Sequence, residues 1–434
     1  MRNKKLLAIL LSAVMACSVF PAVPAMAQVE VAGGDEVNVG EGYSVEPQVN
    51  YKALEDAGKI ALTPGENETA MNFDWYSKTR GTPTVKIGTT ADLSGTDTKT
   101  YTGKATEIDR STKKPDDTIS ANLFKGNSYK ASNKVETGVG ALKANTTYYY
   151  QYSDGTDTSS IYSFTTHNAK KFSALVVGDP QIGSSGDKNG KIVKGGWAKD
   201  SDIAEAHDVI GWSKSLNKAV EMDPDLSFVM SVGDQIQYKK ETAKESKFSS
   251  MRERQYAAFL YPEVLRSLPL ATTVGNHDSI GDDYKLHFDN PNSGDNLGET
   301  NAGCDYYYSY GDVLFIVLNS NNRNAAEHDA LMKKAVASHP DAKWRVCMFH
   351  HDIYGAGISH SDGDSANVRI LLAPLMDKYK IDVALTGHDH CYARSYQIVD
   401  GKAIDYGESE AVNPEGTMYI CAGSSSGSKY YDLL

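Results

Sequence analysis

The sequence predicts an α/β fold: a layered β-sandwich with helices on both faces, preceded by a small all-β sandwich. Three observations support this. From Lys171 onward, apolar strand-like runs alternate with stretches of helical period. Before His167 the texture differs, with short aromatic and β-branched runs separated by Gly, Asn, Asp and Ser turns. Finally, five apolar runs in the second half each end in side chains of one chemical kind: carboxylate, amide or imidazole.

In chain order, the first element is an address. Arg2, Lys4 and Lys5 form a basic start, Leu6–Met15 is apolar, and Ala25-Met26-Ala27 is an A-x-A site, which predicts a secretory signal peptide over residues 1–27. Lipidation of Cys17 is a competing reading, weakened by Met15 and by the apolar stretch continuing past it. No later segment is apolar for long enough to span a bilayer. The expectation is a protein secreted by a bacterium or held at its cell surface, with cell-wall association open. Residues 28–57, rich in Gly, Val, Glu and Asp without period, read as a leader or linker.

Residues 58–167 form the all-β unit, with strands expected at Ala70–Tyr76, Thr84–Gly88 and Thr147–Tyr152. The run Ala141–Tyr150 followed by Tyr162–Thr166 resembles the last strands of a fibronectin type III domain, and Ile60–Gly65 its opening strand. The aromatic run reads as core rather than as a sugar-binding face. Residues 171–434 form the α/β unit, with helical period at Ala204–Met222, Arg252–Leu268, Glu327–Ser338 and Ala366–Tyr379. Loops 183–202 and 279–303 follow polar strand endings and are expected to rim the site. The sequence stops soon after a strand and a Gly/Ser loop, consistent with a truncated C-terminus.

The formal charge is −12, and removing Arg2, Lys4 and Lys5 with the leader takes it to about −15. That argues against nucleic acid or an anionic membrane as a general partner, and a phosphate substrate would need local cations to bind. Once Cys17 leaves with the leader, Cys304, Cys347, Cys391 and Cys421 remain, too few for a disulfide scaffold in a chain of this size. Cys347 and Cys421 read as buried strand residues and Cys391 as a packing thiol, with one bonded pair left open.

The chemistry lies at the five endings. Phe172–Val177 runs into Gly178-Asp179, Leu226–Val232 into Gly233-Asp234, and Leu270–Val274 into Gly275-Asn276-His277-Asp278. Trp344–Phe349 runs into His350-His351 and Ile381–Thr386 into Gly387-His388-Asp389-His390. Parallel strands side by side would bring these ends to one site, and oxygen and imidazole donors without a cysteine pair suit one or two cations. A carboxylate can bridge two cations, and Asp234 is the better candidate for it. Asn276 is a neutral ligand; His277 can then face the substrate, with Asp278 fixing its tautomer from behind. His388 and His390 are expected on one side of an extended segment, with His350 or His351 completing the second metal. His167, His207, His287, His328 and His339 read as surface or capping residues.

These endings, with Val-x-x-x-His and the Gly-His-x-His-x-Tyr-x-Arg-Ser pattern near the last strand, resemble the calcineurin-like metallophosphoesterases, and within them the purple acid phosphatase branch. The resemblance implies that Asp179, Asp234 and His390 hold a first metal, and Asp234, Asn276, His350 and His388 a second. Tyr354, four residues past His350, favours His350 over His351 as the ligand. The resemblance also implies His360 as a general acid or phosphate donor beside His277, and an iron paired with zinc, manganese or a second iron. At the first metal the pattern departs. Gln237 stands where the purple members have tyrosine, with Tyr238 one residue later, and Gln181 stands where the wider superfamily has histidine. Gln181, Gln237, Tyr238 and water all stay open as the additional ligand. The implied activity is acid-phosphatase-like hydrolysis of small phosphate monoesters by a metal-bound hydroxide. Alternatives are a phosphodiesterase or nucleotidase using the same site, or a non-catalytic surface-binding protein.

Overall fold

Short strands rich in aromatic and β-branched residues build the first unit. In the computed structural model, which describes residues 50–111, 128–186, 201–238, 250–358, 360, 363–407 and 410–433, this unit has eight strands. They are β1 (Ala61–Pro64), β2 (Met71–Ser77), β3 (Thr84–Gly88), β4 (Lys99–Thr102), β5 (Lys104–Ser111), β6 (Ser128–Glu136), β7 (Thr146–Ser153) and β8 (Tyr162–Thr166). Two four-stranded antiparallel sheets, ordered β1-β2-β6-β5 and β4-β3-β7-β8, enclose Phe73, Trp75, Val85, Ile87, Tyr150 and Phe164. The aromatic run of β7 turns Tyr148 and Tyr150 inward, as core. The predicted signal peptide, most of the predicted linker and most of loop 183–202 lie outside the described residues.

The second unit stacks two sheets. Strands β9 (Ser173–Val177), β10 (Leu226–Ser231) and β11 (Leu270–Thr272) form a small parallel sheet in the order β11-β10-β9. The larger sheet begins with β12 (Tyr306–Tyr310), β13 (Val313–Val317), β14 (Trp344–Met348) and β15 (Val383–Thr386). It is completed by β16 (Ala393–Val399), β17 (Lys402–Ile404) and β18 (Thr417–Cys421), in the order β12-β13-β14-β15-β18-β16-β17. Within it β13, β14, β15 and β18 are parallel. Phe228, Met230 and Val232 of the small sheet pack against Tyr308, Phe315, Met348 and Leu385 of the large one.

Helices cover the two outer faces. Helices α1 (Ser201–Met222) and α2 (Ser250–Phe259) cover the small sheet with Trp212, Leu216 and Phe259. After the single turn α3 (Tyr284–His287), helices α4 (Ala325–Ser338) and α5 (Asp364–Tyr379) cover the large sheet with Leu331, Met332, Leu372 and Met376. The layered α/β architecture is therefore the one the alternation predicts. One helix is shorter than its period suggests. α2 stops at Phe259, and a 3-10 turn resumes at Glu263–Arg266, because Pro262 lacks an N–H and disfavours helical backbone at Tyr261.

Loop 279–303 corrects an expectation. Its first residues stay near the strand ends, but residues 284–289 turn away and dock on the β-sandwich. Thr63 and Asn72 donate to the Asp289 carbonyl (2.8 and 2.9 Å), Ser132 to that of Leu286 (3.0 Å) and Lys134 to that of Phe288 (2.9 Å). Lys134 also pairs with Asp74 and Asp289, both at 3.5 Å. His287, expected as a surface or capping residue, is buried here: its ring stacks on Tyr76 and Tyr256 and its Nε2 meets Glu253 at 3.0 Å. His328 is likewise buried, against Asp305. Packing between layers decides both placements, and no local pattern announces it. All four described cysteines are free, and the Cys421 thiol donates to the Gly387 carbonyl at 3.3 Å.

Candidate metal centre

The parallel strands deliver their carboxyl ends to one edge of the sandwich, and glycines let the two sheets meet there. Gly233 has φ +103°, and a Cβ on it would lie 2.4 Å from His350 Nδ1. A Cβ on Gly275 would lie 2.0 Å from Asp234 Oδ1. Close approach of ligands from neighbouring strands thus explains why Gly precedes the polar residue. The ligands themselves take unusual backbone. Asp179, Asp234, His388 and His390 have φ of 42°, 47°, 72° and 48°, in the left-handed region. This corrects the extended geometry expected for 387–390: a turn, rather than alternation along a strand, brings both imidazoles inward.

Four donor atoms converge around His350. Its Nε2 lies 2.8 Å from Asn276 Oδ1, 3.2 Å from His388 Nδ1 and 3.4 Å from Asp234 Oδ2. His350 Nδ1–H donates to the Val232 carbonyl at 2.9 Å, which aims the Nε2 lone pair at the cluster. Beside it, His390 Nδ1–H donates to the Lys429 carbonyl (3.0 Å), and its Nε2 faces Asp179 Oδ1 at 3.6 Å. Asp179 Oδ2 accepts from the His388 N–H (2.8 Å), whereas Asp179 Oδ1 is buried without a hydrogen-bond partner. The six residues expected to hold metal are all brought together, the two groups joined where the His388 N–H meets Asp179.

The electrostatics agree. Burial raises the Asp179 carboxyl well above its ordinary value. Burial opposes charge on Asp234 too, yet His350 and His277 hold its carboxyl well below the usual range. Against its own burial, His350 is raised to about 9 by Asp234. Burial and the neighbouring imidazoles hold His388 well below its ordinary value, and burial holds His390 at about 3. His388 and His390 are thus held as neutral imidazoles, the ligand form, whereas His350 shares a proton with Asp234 that a cation would displace; two buried carboxylates call for positive charge. An orphaned buried carboxylate oxygen, inward lone pairs and oxygen–imidazole donors fit a pair of cations.

A cavity of about 340 Å³ opens onto Asp234, Asn276, His388 and His390, lined further by His277, Ile280, His360, Tyr431, Lys429 and Gln181. His277 Nδ1 is 2.7 Å from the Gln237 carbonyl, and His360 Nδ1 is 3.1 Å from that of His388. Asp278 does not play its expected part. It accepts from Gly275 N (2.9 Å), Gln235 N (3.2 Å) and the Tyr256 hydroxyl (2.9 Å), because a 3-10 turn at Asp278–Ile280 points it into the protein. The group orienting His277 is the Gln237 carbonyl. Burial, with Asp234 nearby, pushes Asp278 up to about 7.

His351 lies behind the cluster on Ser320 Oγ (2.8 Å), with Arg323 3.4 Å from its Nε2, so His350 is the inward-facing member of the pair. Asp364 reaches His351 and His388 from the exposed start of α5, and Arg323 already pairs with it. Tyr354 sits outside the cavity against Tyr419 and Arg369. The Gln181 amide is fully buried at the cavity with neither polar atom hydrogen-bonded. Tyr238, by contrast, packs in the core under the Arg252 guanidinium, 4.7 Å from the ring centroid. Lys429 and Tyr431 escaped the sequence reading because they follow a Gly/Ser loop with no motif of its own.

Comparison with known proteins gives the same picture. Residues 172–392 match the calcineurin-like phosphoesterase family, and residues 58–166 match the purple acid phosphatase N-terminal domain. Acid phosphatase type 7 from Mus musculus is 26% identical over 191 residues, covering 38% of this chain and 42% of that protein. The Homo sapiens protein of the same name is 25% identical over 189 residues, with the same coverage. The chain thus matches less than half the length of these relatives. A purple acid phosphatase from Lupinus luteus seeds shares the fold, with TM-score 0.62 and 18% identity over 87% of this chain and 66% of that one. With its strand endings gathered into one oxygen- and imidazole-lined centre, the chain belongs to the calcineurin-like phosphoesterases and carries the purple acid phosphatase N-terminal domain ahead of the catalytic one.

Proposed function

We propose that this protein is an exported phosphatase that hydrolyses phosphate monoesters with two cations. The observation that carries the reading is the convergence of Asp179, Asp234, Asn276, His350, His388 and His390 beneath a cavity whose walls carry two further histidines. Asp179, Asp234 and His390 would hold one cation, and Asp234, Asn276, His350 and His388 the other. When bound, the ions supply Lewis acidity and an activated water near neutral pH.

The chain's own groups account for the rest. With Nδ1–H donating to the Gln237 carbonyl, His277 presents Nε2 to the cavity, where it can deliver a proton to the leaving oxygen. His360 is anchored through Nδ1 to the His388 carbonyl and stacked on the His388 ring, so its Nε2 can hold a phosphate oxygen or share that proton. Ile280 and Tyr431 wall the cavity and limit water at the reacting centre. For the additional place at the first metal, Gln181 Oε1 is the supported donor: it is buried, faces the cavity and lacks a hydrogen bond, whereas the Tyr238 ring is engaged elsewhere. The reading therefore predicts no iron–phenolate colour.

The test is turnover of an aryl phosphate and a bis-aryl phosphate by purified protein, stripped with chelator and reloaded with Fe, Zn or Mn. Chelator-sensitive turnover, with the monoester faster, is expected. Asn276→Ala and His388→Ala should each lose one equivalent of metal and at least about a hundredfold in rate. No turnover after reloading would sink the enzyme reading, and unaffected variants would sink the two-cation assignment.

A further inference from the structure

We infer that Lys429 is a substrate-binding residue whose ammonium holds the phosphate dianion and so favours monoesters over diesters. The inference rests on the phosphoesterase reading and deepens it. Among the described residues lining the cavity, Lys429 is the one lysine or arginine; the others are Gln181, Asp234, Asn276, Ile280, Tyr431 and histidines. Its Nζ lies 5.0 Å from the centre of the Tyr431 ring, which packs on His390, so the ammonium lies on the first-metal side of the cavity.

The position of Lys429 is built into the fold. The loop that follows β18 is sewn to the end of β9: Ser425 N donates to the Gly178 carbonyl (2.8 Å) and Ser424 Oγ to that of Asp179 (3.2 Å). Ser215 of α1 holds the same loop through the Ser425 carbonyl at 2.6 Å. The Lys429 carbonyl then accepts from His390 Nδ1, so one residue orients a metal ligand through its backbone and carries its cation beside Tyr431 at the cavity wall. Tyr431, held between His360 and His390 at ring separations of 5.0 and 4.9 Å, carries Lys429 Nζ 5.0 Å from its ring centroid. That cation–π contact keeps the long side chain over the site rather than in solvent.

Chemistry sets the preference. In a chain of net charge −12 the general field repels phosphate, and a fixed cation at the site offsets this locally. A monoester dianion gains more from that cation than a diester monoanion, whose second ester group occupies the oxygen that would accept from it.

The test compares wild type with Lys429→Gln and Lys429→Arg, all loaded with the same metals. Metal content is measured first. Inorganic phosphate binding is then measured calorimetrically, together with kcat and KM for an aryl phosphate and a bis-aryl phosphate. Lys429→Gln should keep both metals, because the His390 contact is through the backbone. It should weaken phosphate about tenfold, raise the monoester KM about tenfold with kcat little changed, and raise the diester KM about threefold or less. Lys429→Arg should recover most of the loss. Equal losses on both esters, unchanged phosphate binding, or loss of metal in Lys429→Gln would each overturn the inference. Failure of wild type to hydrolyse either ester would instead sink the phosphoesterase reading, and the phosphate titrations would still judge Lys429.

Discussion

Replacing Gly233 by alanine tests how the two sheets share the centre. The added Cβ would sit 2.4 Å from His350 Nδ1, whereas real Cβ contacts essentially never fall below 3.0 Å, so the imidazole must retreat by about 0.6 Å. That same Nδ1 donates to the Val232 carbonyl at 2.9 Å, so the retreat also strains the bond that aims Nε2 at Asn276, His388 and Asp234. Disturbing such an orienting bond typically lowers metal affinity about 10- to 100-fold. The backbone adds a separate penalty, since φ +103° suits glycine and costs alanine about 1–3 kcal/mol. Gly138→Ala provides the control: φ is +76° and nothing lies within 4 Å of the new Cβ, so it carries backbone strain without a collision. Metal titration by calorimetry and thermal unfolding of both variants should show lowered stability in each, but weakened metal binding in Gly233→Ala alone. Full metal affinity in Gly233→Ala would refute the claim that this glycine exists to admit His350.

Three further outcomes are expected. Tyr238→Phe should leave metal content and the visible spectrum unchanged, while Gln181→Ala should weaken one of two metal equivalents in a titration; the reverse pattern would put the phenol at the metal. His328 faces acceptors at both nitrogens, Asp305 Oδ2 at 2.6 Å and the Asn322 carbonyl at 3.0 Å, and despite its burial Asp305 raises it above 6.5. A raised folded pKa means that this stabilisation, about 2 kcal/mol for charged hydrogen bonds, is complete below about pH 6.5 and is lost as pH rises through the folded value. The urea midpoints of wild type and His328→Gln should therefore converge at high pH, and a constant gap would contradict the imidazolium. Lys134→Met should strand Asp74 and Asp289 between the two units at about 3 kcal/mol, read as faster proteolysis near residues 284–293, whereas unchanged cleavage would show that the lysine is dispensable.

The fold and most of the centre could be read along the chain because both rest on local patterns. A parallel strand announces itself by a continuous apolar run, and its carboxyl end by the polar residues that follow; β9, β10, β11, β14 and β15 all obey this. Residues placed by contacts between layers gave no such signal. Asp278 looked like the partner of His277, its sequence neighbour, but the 3-10 turn aims it at Tyr256. Lys429 belongs to the site only because β18 lies beside β15 and its following loop is bonded to the end of β9. Loop 279–303 reads as any polar loop, and only the sandwich it docks on shows its use as a strut.

The left-handed backbone at Asp179, Asp234, His388 and His390 narrows what mutation can do to this protein. Asn, Asp and His are the side-chain-bearing residues that tolerate this region best, and they are also oxygen and nitrogen donors. Steric tolerance and ligand chemistry therefore select the same short alphabet. A branched or bulky replacement meets two objections at once, whereas Asp-to-Asn or His-to-Asn exchanges satisfy the chain and alter only the donor. Drift at these positions should accordingly retune which ion is held long before it unfolds the site that holds it.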